Sequence, residues 1–190
     1  MKKWKKTAAV LCAAVLLGCG SKPQSSVSAQ EAVRVEMTVK DYGTIVMEMD
    51  PVNAPITVEN FVKLAESGFY DGLTFHRIMD GFMIQGGASA NKPATIQGEF
   101  SSNGWENKLS HVKGTVSMAR ANDPNSASSQ FFICVADDRF LDGDYAAFGT
   151  VVEGLEIAEK IAKDAKPVDN NGTIPKDEQP IIEKMVVKRP

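Results

Sequence analysis

The chain has 190 residues, of which 43% are hydrophobic and 24% charged, and this length and composition suit one globular domain with a full core. Its 21 lysines and arginines against 24 aspartates and glutamates give a formal net charge of −3 at pH 7, which argues against nucleic acid as a partner. Three cysteines are too few for a cysteine-rich metal site.

Residues 1–18 have the pattern of a secretory signal peptide. Lysines among the first six residues precede an apolar stretch, TAAVLCAAVLLG, which is shorter than the roughly 20 apolar residues that a membrane span needs. The stretch ends in LLGC, residues 16–19, which resembles the lipobox of bacterial lipoproteins, where the cysteine is acylated. We therefore predict lipidation of Cys19; the alternative is an ordinary secretory signal in which this cysteine is incidental.

The lipoprotein interpretation divides the chain into three parts. Residues 1–18 are the signal peptide, residues 19–32 are the lipidated cysteine with a polar, flexible tether, and residues 33–190 form the folded domain. Loss of the signal lysines leaves a mature charge of about −7, again unsuited to nucleic acid. We predict an extracytoplasmic protein that is lipid-anchored to the bacterial cell membrane, held at the lipid bilayer by acylated Cys19.

The start of the domain predicts a β-hairpin followed by a helix. On both sides of the KDYG turn, apolar residues recur at every second position: Val33, Val35, Met37 and Val39, then Ile45, Met47 and Met49. The next segment changes to helical spacing, with Pro55 suited to a first turn and Gly68 to the end.

The rest of the domain predicts mainly strands. Short apolar segments bounded by Gly, Asn, Asp or Ser lie at 73–78, 81–86, 95–100, 114–119, 130–136 and 146–152. A second helix is predicted at about 154–165, and PIIEKMVVKR closes the chain as a last strand. Many short strands with two helices predict a closed antiparallel barrel or a sandwich, and the pattern alone leaves both open.

Few side chains suit metal, acid–base or nucleophilic chemistry. His76 and His111 have no second ligand at metal spacing; we expect His76 to face away from Arg77 and His111 to be solvated in its loop. The four aspartates of DRFLDGDY lack the closing glutamate of the usual calcium loop and predict a solvated turn. Cys134 is expected to be a buried small hydrophobe without a disulfide partner. No metal or other cofactor is expected.

Two segments carry a family resemblance: FHRIMDGFMIQGG at 75–87 and GTVSMARANDPNSASSQFFICVADDRFLDGDYAAFGTV at 114–151. Together they resemble the cyclophilin family of peptidyl-prolyl cis/trans isomerases, most specifically in FHR…GFMIQGG and SQFFI…FLDG…FG. The likeness runs over essentially the whole mature domain. It implies a mainly β fold, a closed eight-stranded antiparallel barrel capped by two α-helices, which accounts for the strands and helices predicted above.

The resemblance also implies a substrate site at the matching positions. Arg77, Gln85 and Phe82 would be the catalytic residues, with Gln85 binding substrate backbone and orienting Arg77. The implied substrate-binding residues are Met83, Ala119, Arg120, Gln130, Phe132, Phe140, Leu141 and Tyr145. From the pattern alone, Phe82, Met83 and Phe132 fit a barrel core better, and Arg77 equally fits a surface arginine flanked by buried neighbours.

A charged arginine among apolar side chains has a physical use in this reaction. An X-Pro bond rotates over a barrier of about 18–20 kcal/mol because resonance gives the C–N bond partial double-bond character. A donor aimed at the prolyl nitrogen, whose lone pair is free only in the twisted state, stabilises that state selectively. The rigid, permanently charged guanidinium of Arg77 suits this role, beside an apolar slot for the proline ring.

The expected partners are proline-containing polypeptides. Phe140 stands where many eukaryotic members of the family have a tryptophan, a main contact for cyclosporin, so weak binding of that drug is the most we expect. Tyr145 replaces the usual pocket histidine and keeps an aromatic ring with a polar tip. The single barrel is expected to be a monomer.

Three functions are compatible with these features. The first is an isomerase for X-Pro bonds of exported chains; the second is a module that binds proline-containing segments, with incidental turnover. A solute-capturing lipoprotein is least favoured, because no second lobe exists to close over a ligand. Arg77 and Gln85 favour the isomerase, since binding alone needs no donor at a twisted nitrogen.

Overall fold

The computed structural model of the chain describes Met1 and residues 33–189. The predicted signal peptide, the acylation of Cys19 and the tether over 19–32 therefore lie outside the described residues. Among the residues that are described, no helix has both the length and the apolar character to cross a membrane.

Residues 33–189 contain eight β-strands and two α-helices. In chain order they are β1 (Arg34–Val39), β2 (Gly43–Met49), α1 (Pro55–Glu66), β3 (Phe75–Met79), β4 (Met83–Gly86), β5 (Thr115–Met118), β6 (Phe131–Cys134), β7 (Ala147–Glu153), α2 (Leu155–Asp164) and β8 (Ile182–Lys188). Short 3₁₀ turns lie at Ser101–Asn103 and Arg139–Leu141. The predicted hairpin, both helices and the last strand are confirmed within a few residues.

The strands form one curled antiparallel sheet in the order β3-β4-β6-β5-β7-β2-β1-β8. In the described part of the chain a single bridge, between Thr74 and Ile181, pairs the two edges, and the amide of Phe75 adds a 3.0 Å hydrogen bond to the carbonyl of Pro180. The predicted mainly β architecture of eight antiparallel strands with two helices is confirmed. The sheet is nevertheless a partly open barrel, because its edge strands do not form a full ladder.

The alternating apolar residues of the first hairpin fill the barrel core. Val35, Met37, Ile45 and Met47 are fully buried, because side chains two residues apart on a strand point to the same face of the sheet. Helix α1 adds Phe61, whose ring packs 5.0–5.3 Å from those of Tyr70, Phe131 and Phe148. This packing fixes the sheet on which the candidate site is built.

The segment 95–100, which the sequence predicts as a strand, makes a single bridge between Ile96 and Ala127. Its main interaction is instead with α1: the fully buried carboxylate of Glu99 accepts hydrogen bonds from the amides of Ile56 and Thr57, at 2.9 and 2.8 Å. A carboxylate at a helix N-terminus satisfies amides that have no partner within the helix. The strand prediction was wrong because this segment caps a helix rather than extending the sheet.

Candidate active site

Ten of the predicted site residues line one cavity of about 300 Å³ on the outer face of the sheet, which we call the slot. They are Arg77, Phe82, Met83, Gln85, Ala119, Arg120, Phe132, Phe140, Leu141 and Tyr145. The remaining one, Gln130, lines an adjoining cavity of about 420 Å³, the side groove, which shares Gln85, Ala119 and Arg120 with the slot. The structure thus brings the predicted set together.

Strand register places the central polar and apolar groups of the slot side by side. Arg77 on β3 pairs with Gln85 on β4, and Gln85 pairs with Phe132 on β6. Directly opposite residues of an antiparallel pair project from the same face of the sheet. A guanidinium, an amide and an aromatic ring therefore follow one another across three strands.

The guanidinium of Arg77 makes one strong hydrogen bond through Nε, whereas its two terminal nitrogens have only weak or distant acceptors. Its Nε donates to the backbone carbonyl of Asn171 at 2.8 Å, while Nη1 donates to Oε1 of Gln85 at 3.3 Å. The other contacts are with sulfur, from Nη1 to Met83 at 3.6 Å and from Nη2 to Met79 at 3.3 Å, and thioether sulfur is a weak acceptor. Among the described residues no carboxylate lies within 4.0 Å of this guanidinium.

Gln85 links the slot to the side groove. Its carbonyl oxygen accepts from Arg77, and its Nε2 donates to Oε1 of Gln130 at 3.0 Å. The predicted orienting contact between Gln85 and Arg77 is therefore present in the structure. Gln130 also accepts from the backbone of Ala119 through its carbonyl, at 2.9 Å, which joins the two walls of the groove.

The floor of the slot is an apolar cluster separate from the barrel core. Met83, Phe132, Cys134 and Leu141 are buried together, and the half-buried Phe82 is among the side chains that pack against them. The alternative that Phe82, Met83 and Phe132 belong to the barrel core is not supported, because they lie in or against this separate cluster, which opens onto the slot. Cys134 is fully buried, as a small hydrophobe should be.

Aromatic rings form the rim. Phe82 lies 5.5 Å from Phe140 and 5.7 Å beneath the guanidinium carbon of Arg77. Phe140 is 71% exposed, which leaves its face available to a ligand. On the other side the ring of Tyr145 meets that of Phe132 edge to face at 6.0 Å.

Arg120 lines both the slot and the side groove, and its side chain contacts two aromatic rings. Its guanidinium carbon lies 4.7 Å from the ring centroid of Tyr145 and 5.2 Å from that of Phe100, and its Nε donates to the carbonyl of Asp144 at 2.8 Å. The sequence pattern did not indicate these contacts of the Arg120 side chain.

The expectation that His111 is solvated was wrong. Its side chain is 1% exposed, and both ring nitrogens are bonded, Nδ1 with Asp142 at 2.8 Å and Nε2 with Ser117 at 2.9 Å. Burial lowers the pKa of His111, although the bond with Asp142 acts against this shift. The polar loop around this histidine gave no sign of its partners, one of which lies 31 residues further along the chain.

The turn around DRFLDGDY is solvated as predicted at Asp137, Asp142 and Asp144, which are exposed, but not at Asp138. Asp138 is 3% exposed, and its Oδ2 has no hydrogen-bond partner among the described residues. Burial raises its pKa to about 6, and the charge of Asp137 adds to this effect. Asp142 accepts from Ser110 and His111. In the part of the chain that the structure describes, no group of three His, Cys, Asp or Glu side chains could hold a metal ion.

His76 does not lie cleanly on the far side of its strand. The pairing of β3 with β4 shifts between Phe75 and Arg77, so strict alternation is lost at this histidine. Burial lowers the pKa of His76, and the positive charge of Arg77 lowers it further. We therefore expect a neutral imidazole beside the guanidinium at neutral pH.

Comparison with known proteins agrees with this geometry. The profile of the family described as cyclophilin type peptidyl-prolyl cis-trans isomerase/CLD matches residues 34–187. Peptidyl-prolyl cis-trans isomerase A of Dickeya dadantii is 45% identical over 127 residues, which are 64% of this chain and 67% of that protein. A probable peptidyl-prolyl cis-trans isomerase of Brucella suis is 35% identical over 187 residues, 89% of this chain and 90% of the other.

Solved structures agree as well. The crystal structure of a cyclophilin type peptidyl-prolyl cis-trans isomerase from Cryptosporidium parvum superposes with a TM-score of 0.70 at 26% identity, covering 84% of this chain and 98% of that one. The same parasite protein was also crystallised in the presence of the dipeptide Ala-Pro. The fold, the grouped site residues and the matches over nearly the whole domain lead to one conclusion: this chain belongs to the cyclophilin family of peptidyl-prolyl cis-trans isomerases.

Proposed function

We propose that this isomerase accelerates rotation about X-Pro bonds by a hydrogen bond from Arg77 to the prolyl nitrogen in the twisted state. The observation that supports the proposal is the set of hydrogen-bond partners of the Arg77 guanidinium. It is anchored through Nε to the carbonyl of Asn171, while its other N–H groups meet two sulfur atoms and a single amide oxygen at 3.3 Å. Donors with such weak partners are available to a better acceptor.

The selectivity for the twisted state follows from amide chemistry. In the planar ground state the nitrogen lone pair is delocalised into the carbonyl, and twisting returns it to nitrogen. A fixed donor at that nitrogen therefore stabilises the transition state more than the ground state. No bond has to break, and the arrangement needs no nucleophile or general base.

The slot supplies the second requirement, which is to hold the proline ring while the rest of the peptide turns. The apolar floor of Met83, Phe132 and Leu141 suits a pyrrolidine ring, and its position beside Arg77 brings the ring nitrogen toward the guanidinium. Residues before the proline would lie along the side groove, where the amides of Gln85 and Gln130 can bind backbone. The parasite relative crystallised with Ala-Pro supports proline-containing peptides as ligands.

Replacement of Arg77 tests this role. We expect Arg77→Ala to lower kcat/KM for an Ala-Pro peptide by about 100-fold, which is typical of the loss of one transition-state donor. Arg77→Lys keeps the charge without the fork and should recover part of the loss. The measurement is protease-coupled isomerisation by the domain 33–190, with circular dichroism as a check that each variant is folded.

Arg34→Ala is the matched control, because Arg34 makes an exposed ion pair with Glu48, and we expect its rate to equal that of the wild type. Equal rates for Arg77→Ala and the wild type, with peptide binding retained, would instead indicate a proline-binding module whose turnover is incidental.

We further propose that the enzyme acts on exported chains, outside the cytoplasmic membrane and anchored by acylated Cys19. The support is the LLGC sequence after a basic and apolar leader, followed by a polar stretch long enough to serve as a tether. The reaction needs no cofactor or nucleotide, which suits a compartment without ATP. We expect Cys19→Ser to move the full-length protein from the membrane fraction to the soluble fraction. Membrane association that survives this change would rule out the lipid anchor.

A further inference from the structure

Beneath the slot lies a fully bonded polar chain made of Ser117, His111 and Asp142. Both nitrogens of the buried imidazole are occupied, and Asp142 also accepts from the backbone amide of His111 at 2.7 Å and from the hydroxyl of Ser110. A buried polar group is retained at little cost only when all its bonds are made, and such a network then fixes one geometry.

The protonation state of this chain follows from its partners. Burial alone would raise the pKa of Asp142, but the hydrogen bonds from Ser110 and His111 outweigh it and lower the pKa, so this carboxylate is ionised at neutral pH. An ionised carboxylate can only accept, so Nδ1 of His111 carries the proton and Nε2 accepts from the hydroxyl of Ser117. The imidazole is held in one tautomer and one orientation.

The order Ser–His–Asp is also that of a hydrolase triad, but the geometry excludes this use. Ser117 is fully buried within β5, so no substrate carbonyl can approach its hydroxyl. His111 is equally enclosed. Ser117, His111 and Asp142 can therefore affect the reaction only through the residues that they contact.

What it touches is the floor of the slot. The imidazole of His111 lies nearly parallel to the ring of Phe132, with 17° between the planes and 6.0 Å between the centroids. Ser117 pairs with Phe132 across β5 and β6, so the residue that bonds the imidazole lies beside Phe132 and projects from the same face of the sheet. On the other side Asp142 ends the 3₁₀ turn Arg139–Leu141, which supplies Phe140 and Leu141 to the slot.

We infer that His111 is a positioning residue, which sets the orientation of the Phe132 ring and the distance between that ring and the 139–142 turn, and so keeps the slot at the width of a proline ring. The inference rests on the proposed function of the slot. His111 touches no substrate; through its ring contact with Phe132 and its bond with Asp142 it adds a polar link between two walls that otherwise meet through the apolar packing of Leu141 in the cluster of Phe132. A slot of the wrong width weakens ring binding in the ground state and the transition state alike.

The prediction is therefore a change in KM rather than in kcat. His111→Asn keeps a donor for Asp142 but loses the ring and the reach to Ser117, and we expect KM for an Ala-Pro peptide to rise about 10-fold with kcat within about twofold of the wild type. Arg77→Ala, by contrast, should lower kcat/KM through the transition state. In NMR spectra of the Phe-labelled protein, the flip rate of the Phe132 ring should increase in His111→Asn.

The control for general loss of stability is Val58→Ala, a core change on α1 away from the slot. It should leave both KM and the Phe132 flip rate at wild-type values. If Val58→Ala raises KM as much as His111→Asn does, or if His111→Asn has the KM of the wild type, the inference fails. A wild-type protein that neither isomerises nor binds the peptide would contradict the proposed function instead, so the two failures are distinguishable.

A second pair of variants keeps the test open should His111→Asn not fold. The carboxylate side chain of Asp142 is 36% exposed, so its replacement is compatible with folding. Asp142→Ala removes the acceptor of the imidazole N–H and should raise KM roughly fivefold, while Asp142→Asn keeps an acceptor and should raise it less. Equal values of KM for Asp142→Ala and the wild type would overturn the role assigned to this chain.

Discussion

Two neighbouring rows of side chains cross the same four strands, β3, β4, β6 and β5, and differ in the face of the sheet from which they project. One row, which we call the core row, is Ile78–Ile84–Ile133–Val116, and all four residues are fully buried in the barrel core. The other, the slot row, is Arg77–Gln85–Phe132–Ser117. Each of its members is the immediate neighbour, along its own strand, of a member of the core row. The same four strands therefore carry both the core row and the slot row.

The difference shows how a small barrel separates stability from function. Because successive side chains of a strand point to opposite faces, one face can be committed to packing while the other carries a donor, an amide and an aromatic ring. The slot row is in turn supported by its own polar layer, His111 and Asp142, rather than by the barrel core. Changes to the two rows should therefore have separable effects on unfolding and on catalysis.

The largest expected effect is on stability, from the core row. Ile133→Ala removes three buried carbons from a position with no exposure, and we expect the free energy of unfolding to fall by about 3 kcal/mol. At a temperature where the variant is folded, kcat/KM should stay within about twofold of the wild type, since Ile133 faces away from the slot. Urea unfolding and the isomerisation assay measure the two quantities on one preparation.

The neighbouring change, Phe132→Leu, should reverse this pattern. The leucine still fills most of the apolar floor, so we expect a loss of about 1 kcal/mol in the free energy of unfolding. Without the flat ring against His111 and Tyr145, kcat/KM should fall about 10-fold, since the slot no longer fits the proline ring. If Phe132→Leu and Ile133→Ala change stability and activity in the same proportion, the two faces are not functionally separate.

Much of this division could be predicted from local patterns. The alternation of the first hairpin, the helical spacing after Pro55 and the turn residues between strands depend on neighbours in the sequence, and the structure confirms those elements. The site residues were predicted from a family resemblance, and the structure places them around one cavity and its side groove. Their roles in catalysis stay predictions.

The failures involve partners that are distant along the chain. Glu99 caps a helix 42 residues before it, Asn171 anchors Arg77 across 94 residues, and His111 meets Asp142 across 31. No local pattern distinguishes a polar residue in solvent from one whose partners arrive from another element, and burial then depends on the tertiary fold alone. For this reason His111 and Asp138 were expected in solvent, although the structure buries both of them beneath the slot.

The smallest expected effect concerns Asp138, the buried aspartate of the turn DRFLDGDY, which lies against Cys134 at the base of the slot. Burial raises its pKa to about 6, above its ordinary value of 3.8, and the charge of Asp137 acts in the same direction. Between those two pH values the folded protein binds more protons at this site than the unfolded chain does, so this site's contribution to stability falls as pH rises through 6. Asp138→Asn mimics the protonated acid and should stabilise the protein by roughly 1 kcal/mol at pH 8.

The dependence on pH distinguishes this effect from a change in packing. The gain from Asp138→Asn should shrink as pH falls through 6 and be mostly lost at pH 4, which lies close to the ordinary value of 3.8 at which the unfolded carboxyl is itself protonated. His111 titrates in the opposite sense, because its pKa is lowered, but it is present in both proteins and largely cancels in the difference. Urea unfolding of both proteins at pH 4, 6 and 8 measures this difference directly. A gain of equal size at all three values would mean that the amide packs better than the acid, and that no buried charge weakens the base of the slot.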